Sequence, residues 1–240
     1  MKLILTFHSL DDDASVLSYP TRLFSKLIEA LLESDMPILS LDDLLSDKSK
    51  SGVCITFDDG MSSLYKILTP LLKDYQFPAH LFLTTAAVGK NNLWRSQPQN
   101  APAYQMLTWQ QIEELYAAGL LIEAHTHNHP FMSVLNKPQW QSECLECNRQ
   151  IEQNTGRKPQ FFSYPYGDYN KQLCDFISQE YMASVTTKLA YLHKADHRHL
   201  LPRVDSYYLQ HPWLFNNLAA PFCQAYIKAR CLLREIKGSQ

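Results

Sequence analysis

The chain has 240 residues, 45% of them hydrophobic and 12% aromatic, enough to bury the core of one α/β domain or of two small ones. Its 22 basic and 24 acidic residues leave a formal charge of −2, so no global field recommends a nucleic-acid partner. Cys54, Cys144, Cys147, Cys174, Cys223 and Cys231 are too sparse for a disulfide framework in a chain of this length.

Lys2 to Phe7 reads as an apolar strand that ends at His8. This run is too short for a signal-peptide core, and no stretch approaches the roughly 18 apolar residues of a membrane span. A cytoplasmic protein is the expectation. Thr21 to Ser34, with apolar residues three and four apart, predicts a helix. Val53 to Phe57 is the next strand, and it runs into Asp58-Asp59-Gly60. Parallel α/β sheets build their sites at that edge. Neighbours on an extended backbone point apart, so one acid is placed to ligate a metal and the other to take a proton. The alternative is that both cap the following helix, Met61 to Tyr75, and bind nothing.

His80 to Leu83 is a further strand. Gly89 to Leu107 lacks periodicity, holds Asn91, Asn92, Trp94, Arg95 and two prolines, and predicts a long loop over the sheet. Trp94 is its candidate substrate contact. Thr108 and Gln111 make an N-terminal capping pair for a helix that Gly119 ends. The strand Leu121 to Ala124 stops at His125-Thr126-His127-Asn128-His129-Pro130. In a helical turn or a compact loop, His125 and His129 share a face, as metal ligands must. Two imidazoles and a carboxylate form a facial triad with open positions, suited to zinc, nickel, cobalt, manganese or iron. Such a centre acidifies water and polarises a carbonyl.

Lys137 to Thr155 predicts a polar helix, whose Cys144 and Cys147 read as ordinary helix residues rather than a zinc or redox pair. The aromatic strand Phe161 to Tyr164 precedes Pro165-Tyr166-Gly167, a turn able to aim a backbone N–H at an oxyanion. A helix over Asn170 to Gln179 and a strand over Met182 to Thr186 complete the alternation. A parallel sheet, open or closed into a barrel, follows from that alternation, in a single domain. Beyond Tyr208 the chain changes character: Trp213 to Lys237 is apolar and aromatic and carries Lys228, Arg230, Arg234 and Lys237. This composition fits a basic amphipathic helix on anionic lipid or a lipid-linked sugar, and more commonly a helix packed on its own barrel.

Thr56-Phe57-Asp58-Asp59-Gly60, then His125-Thr126-x-x-His129-Pro130, then Pro165-Tyr166-Gly167 resembles, in order and spacing, the polysaccharide deacetylase family, the NodB-like carbohydrate esterases. The resemblance implies an α/β fold, a distorted (β/α) barrel of about seven strands over residues 1–208, with 209–240 as a helical extension. It also implies metal-dependent removal of N-acetyl groups from a glycan or its precursor, with an N-acetylated sugar or oligosaccharide as partner and zinc foremost among the divalent metals. Hydrolysis of another C–N bond, or an inactive carbohydrate-binding relative, are the rival readings. Carried over residue by residue, the resemblance makes Asp59, His125 and His129 the metal ligands and Asp58 the general base. Thr126 supports the histidine loop, Tyr166 gives its N–H to the oxyanion, and Pro165 and Gly167 hold that turn. His127 and Asn128 occupy variable positions.

The chain departs from the pattern twice. Ser163 stands where many members carry an arginine that orients the base, and no late strand ends in Leu-x-His. The opening strand and His8 resemble a subgroup of exopolysaccharide deacetylases, in which such a histidine is the general acid; here Phe7 replaces a tyrosine. Leu201-Pro202-Arg203-Val204-Asp205 resembles the same subgroup, and Arg203 is the candidate to orient Asp58 in place of the missing arginine.

Overall fold

Strands whose two faces are both apolar must be covered on both sides, and this chain covers them by closing the sheet and ringing it with helices. The computed structural model describes residues 1–98 and 101–238, so residues 99 and 100 of the long loop and the side chain of Lys237 lie outside the described residues. β1 (Lys2–Phe7) leads through the short strands β2 (Ser9–Leu10) and β3 (Ser18–Tyr19) to α1 (Thr21–Leu32) and α2 (Leu41–Leu45). Then come β4 (Gly52–Asp59), α3 (Ser63–Tyr75), β5 (Ala79–Leu83), α4 (Trp109–Ala117), β6 (Leu120–Ala124) and α5 (Lys137–Thr155). β7 (Phe161–Ser163), α6 (Lys171–Glu180), β8 (Ala183–Leu189) and β9 (Leu201–Asp205) complete the barrel, followed by α7 (Pro212–Phe215) and α8 (Pro221–Gly238).

All seven barrel strands are parallel, in the order β1-β4-β5-β6-β7-β8-β9, and β9 returns to β1 through Leu5↔Val204 and Thr6↔Asp205. The sheet is thus closed. Six of the seven strands coincide with the apolar runs of the sequence. β9 is the addition: Pro202 and Arg203 interrupt its apolar pattern, and a proline ordinarily argues against an interior strand. Thr108 and Gln111 form the expected reciprocal cap of α4.

Alternation along the strands separates two apolar layers. Leu3, Leu5 and Phe7 of β1 join Val53, Ile55 and Phe57 of β4 in an outer layer against Phe24, Leu27 and Ile28 of α1 and Leu64, Leu68 and Leu72 of α3. Ile4, Cys54, Phe82, Phe161, Val185 and Leu201 form a separate inner cluster with Leu41 and Leu44 of α2, which plugs one end of the barrel. That plug is tied down by polar contacts: the Leu41 N–H donates to His80 Nε2 at 2.9 Å, and His80 Nδ1 lies 3.4 Å from Glu123 Oε1. The fully buried Glu123 accepts from the N–H groups of Gln160 (2.7 Å) and Phe161 (3.0 Å) and from Arg157 Nη1 (3.0 Å).

α8 buries Cys223 and Ile227 in the outer layer. Its later turns reach β8, where Arg234 Nη1 donates to the Thr187 carbonyl at 3.1 Å. No helix among the described residues is long and apolar enough to cross a membrane.

Truncating Glu123 strands two backbone donors and removes the carboxylate that pairs with Arg157. Glu123→Ala should lower the unfolding free energy by roughly 3 kcal/mol in urea titrations. A loss below about 1 kcal/mol, the worth of an ordinary hydrogen bond, would contradict this account of the plug.

Candidate metal centre and active site

β4 delivers Asp58 and Asp59 to the end of the barrel opposite the plug, and there the backbone leaves the extended conformation. Asp59 has φ 71° and Gly60 φ 101°, and a Cβ on Gly60 would lie 2.7 Å from Leu83 Cδ1. The positive φ is what favours glycine at position 60; a Cβ there would only require the Leu83 methyl to shift. The turn sends the two buried carboxylates to different partners. Neither caps α3, whose N-cap is Ser62.

Asp59 faces the histidines. His125 to Pro130 is a compact loop rather than a helical turn, with Thr126 at φ 66° and His129 at φ 55°. The His129 N–H donates to Thr126 Oγ1 at 3.0 Å, so the threonine braces the loop. Glu143 of α5 clamps it from outside: its carboxylate accepts from the N–H groups of His127 (3.0 Å) and Asn128 (2.8 Å) and from Asn128 Nδ2 (2.9 Å). His127 turns to Thr85 Oγ1, 2.9 Å away. His125 Nδ1 meets the Ser163 carbonyl at 2.8 Å, which leaves Nε2 facing inward.

His125 Nε2 and His129 Nε2 stand 3.4 Å and 3.3 Å from Asp59 Oδ1. The ligand atoms of the three buried residues all lie within 4.8 Å of one another. Asp59 Oδ1 has no hydrogen-bond partner among the described residues. A buried carboxylate oxygen and two imidazole nitrogens converging without a donor between them are the environment that a divalent cation satisfies. Burial alone would raise the Asp59 pKa, but the facing histidines hold it well below the ordinary value. Burial pulls His129 down, towards the neutral form that ligates, whereas at His125 the burial is outweighed by Asp59 and Asp58, which raise it.

Asp58 takes a different partner. Arg203 of β9 reaches it through two hydrogen bonds, Nη1 to Oδ1 at 2.7 Å and Nη2 to Oδ2 at 2.6 Å. Burial would raise the Asp58 pKa, but the guanidinium outweighs it and holds the acid below its usual range. The same guanidinium donates from Nη2 to Ser163 Oγ (3.1 Å), from Nη1 to Thr56 Oγ1 (3.3 Å) and from Nε to the Thr186 carbonyl (3.0 Å). The arginine absent from position 163 is thus matched by one arriving on another strand, beside the serine that replaced it.

Aromatic rings wall the site. Trp94, from the long loop, stacks on His129 at 4.3 Å between centroids, and its Nε1 donates to the Tyr166 hydroxyl at 3.0 Å. Tyr166 sets its ring edge-on to His129 at 4.5 Å and stacks on Phe131 at 4.3 Å. Ser96, from the same loop, hydrogen-bonds the His129 carbonyl and lies 3.1 Å from the Tyr166 hydroxyl. Pro165 to Gly167 forms a tight turn with Tyr166 at φ 59° and Gly167 at φ 69°. A Cβ on Gly167 would stand 2.1 Å from Thr187 Oγ1, so this glycine has no substitute. His8, half-buried after β1, is near enough for its charge to help hold both Asp58 and Asp59 down.

Residues 46–183, more than half of the chain, match the family model for polysaccharide deacetylase. The chain belongs to the polysaccharide deacetylase family. It is 28% identical over 192 residues to YxkH of Bacillus subtilis, which carries the family's name, covering 77% of this chain and 64% of that protein. It is 25% identical over 200 residues to the poly-beta-1,6-N-acetyl-D-glucosamine N-deacetylase of Staphylococcus aureus (strain MRSA252), covering 78% and 64%. The chain therefore spans less than two thirds of the length of these two relatives. Among solved structures, IcaB from Ammonifex degensii superposes with a TM-score of 0.75 at 20% identity, covering 94% of this chain and 96% of that one. The deacetylase PplD of Streptococcus pyogenes, in complex with acetate, gives 0.72 at 22% identity, covering 85% and 91%. At these identities the likeness is one of fold, and it is the NodB-like barrel expected from the motifs.

Of the expected site residues in this polysaccharide deacetylase family chain, the structure gathers Asp58, Asp59, His125, His129, Thr126, Tyr166, Arg203 and Trp94 into one contact network, with His8, Pro165 and Gly167 at its edge. Glu143, Ser96 and the double contact of Ser163 went unread in the sequence. Glu143 sits on a polar helix face among other acids and amides, and Ser96 in a loop without pattern. Cys144 and Cys147 are buried in α5, where burial pushes the Cys147 thiol up to about 12, as suits inert core residues. Because Glu143 fixes the backbone that carries His129, Glu143→Ala should weaken zinc binding by about tenfold or more in calorimetric titrations, with Glu143→Gln intermediate. Unchanged affinity in the alanine variant would remove Glu143 from the support of the centre.

Proposed function

We propose that this chain is a metal-dependent hydrolase that removes N-acetyl groups from an N-acetylated glycan. The observation that carries the reading is the pairing of an orphaned Asp59, His125 and His129 cluster with a second acid, Asp58, held ionised by Arg203. Asp59, His125 and His129 would hold a divalent ion, with zinc the first choice and nickel, cobalt, manganese or iron also compatible, supplying a Lewis acid that polarises the acyl carbonyl and acidifies water.

The chain's own residues supply the rest. Asp58, kept as a carboxylate by Arg203, takes the proton of the attacking water as it adds to the carbonyl carbon. The backbone N–H of Tyr166 donates to the carbonyl oxygen as it gains charge. His8 delivers a proton to the departing nitrogen, which is too poor a leaving group as an anion. Trp94, Tyr166 and Phe131 gather into an aromatic wall beside the centre, a composition suited to a sugar site. The Staphylococcus aureus relatives named for poly-beta-1,6-N-acetyl-D-glucosamine support a glycan rich in N-acetylglucosamine as the first substrate to examine.

Acetate release from N-acetylglucosamine oligosaccharides should be abolished by a chelator and restored by zinc, and Asp58→Asn should be inactive while retaining stoichiometric metal. Chelator-insensitive release, or wild-type rates in Asp58→Asn, would overturn the reading. Arg203 supplies a pH test. Asp58 acts as base only when ionised, and with the guanidinium gone its burial, which raises the pKa, is opposed only by the weaker pull of His125 and His8. The acid limb of the kcat/KM profile should therefore move to higher pH in Arg203→Met, with activity near neutrality down about a hundredfold. An unmoved acid limb would separate Arg203 from the base.

A further inference from the structure

α8 has two apolar faces, and the barrel uses only one. Cys223 and Ile227 are buried against the outer layer. On the other side Phe222, Ala225, Ala229, Leu233 and Ile236, spaced three or four residues apart, form a continuous exposed stripe, bordered by Leu232. Trp213, just before the helix, stacks on Phe222 at 5.5 Å and prolongs the stripe. The large side chains Trp213, Phe222, Leu232, Leu233 and Ile236 are 47–62% exposed, so the apolar surface is presented to solvent along the helix. Scattered exposed apolar residues are ordinary, but a periodic row of them along one helix is an interaction surface.

We infer that this stripe seats the protein on a bilayer containing anionic lipid, with α8 lying in the plane of the interface. The charges favour that occupant. Around the helix exposed Lys228 flanks the stripe on one side; on the other stand Arg230, its guanidinium over the Tyr208 ring at 5.1 Å, and exposed Arg234, which also donates to the Thr187 carbonyl, against one acid, Glu235, among the described residues. Apolar residues at the centre and cations at both margins match acyl chains and anionic headgroups respectively. A second copy of the same face would instead bring cationic margins against each other. The helix is too polar to span a bilayer, so it lies on the surface.

The place of α8 gives this docking a consequence. Arg234 Nη1 donates to the Thr187 carbonyl, and Thr187 Oγ1 donates to the Tyr166 carbonyl at 3.3 Å. The last turns of the helix therefore stand next to the turn that lines the active site. Lying on a bilayer, the helix would hold the site mouth beside glycans at the lipid surface. The lipid contact stands on the helix alone and holds whatever bond the site cleaves.

The test is flotation of the full chain with phosphatidylcholine vesicles, alone or with phosphatidylglycerol as about one lipid in three. The wild type should bind the anionic vesicles at least about tenfold more tightly than the neutral ones. Leu233→Asp with Ile236→Asp should abolish binding while thermal unfolding and acetate release from a small soluble substrate stay unchanged. Lys228→Glu, which leaves the apolar stripe intact, should reduce the anionic preference and carries the test if the double variant misfolds. Equal or absent binding to both vesicles, or full binding by the double variant, would overturn the inference. So would a lipid-free wild-type dimer that the double variant disperses, which would make the stripe a self-association surface.

Discussion

Arg203 and Asp58 form a buried ion pair across the barrel interior, and the separate partners of the two neighbouring acids follow from it. Burying a guanidinium and a carboxylate is costly unless every donor finds an acceptor. Here the five N–H directions of Arg203 go to Asp58 twice, Ser163, Thr56 and the Thr186 carbonyl. The pair spans β4 and β9, so it also fastens the strand that closes the barrel through only two residue pairs with β1. With Asp58 engaged, the adjacent Asp59 is left to the histidines, and its left-handed backbone turns it there.

Ser163 joins the two halves. Its carbonyl fixes the His125 ring, while its hydroxyl lies between Arg203 and Asp58. A shift of β7 would therefore disturb the Asp59, His125 and His129 cluster and the Asp58–Arg203 pair together. The loop bearing Trp94 and Ser96 acts on the other side, where His129 is gripped by ring stacking and through its carbonyl. His125, His129 and Asp58 are thus each set by residues behind them, the arrangement that keeps a catalytic geometry within tolerance.

The first acid pair and the histidine cluster were legible in the sequence because each ends an apolar strand and its residue types have few other uses together. From strand alternation alone the separate partners of Asp58 and Asp59 were legible only as a division, since alternation does not reveal a positive φ at Asp59; the resemblance said which acid goes with the histidines. From the strand pattern alone a closed barrel was not separable from an open sheet, because parallel strands buried on both faces look alike in either; the motif resemblance supplied the seven-stranded barrel. β9 was hidden by Pro202 and Arg203, and the same arginine that spoils the strand pattern is the one that pairs with Asp58. Likewise α2 and the Glu123 and His80 tie beneath it left no signal: five residues are too few to show a helical period. Glu143 and Ser96 act through backbone groups, whose positions depend on the completed fold.

The central claim is that the two neighbouring carboxylates have separate partners, metal for Asp59 and Arg203 for Asp58. The most direct measurement is a crystal structure of the zinc-loaded protein, with the ion located by anomalous scattering. The account predicts zinc at about 2.0–2.2 Å from one oxygen of Asp59 and from Nε2 of His125 and His129, with Asp58 still held in two hydrogen bonds by Arg203. Zinc bound by Asp58, or Arg203 turned away from it, would contradict the account.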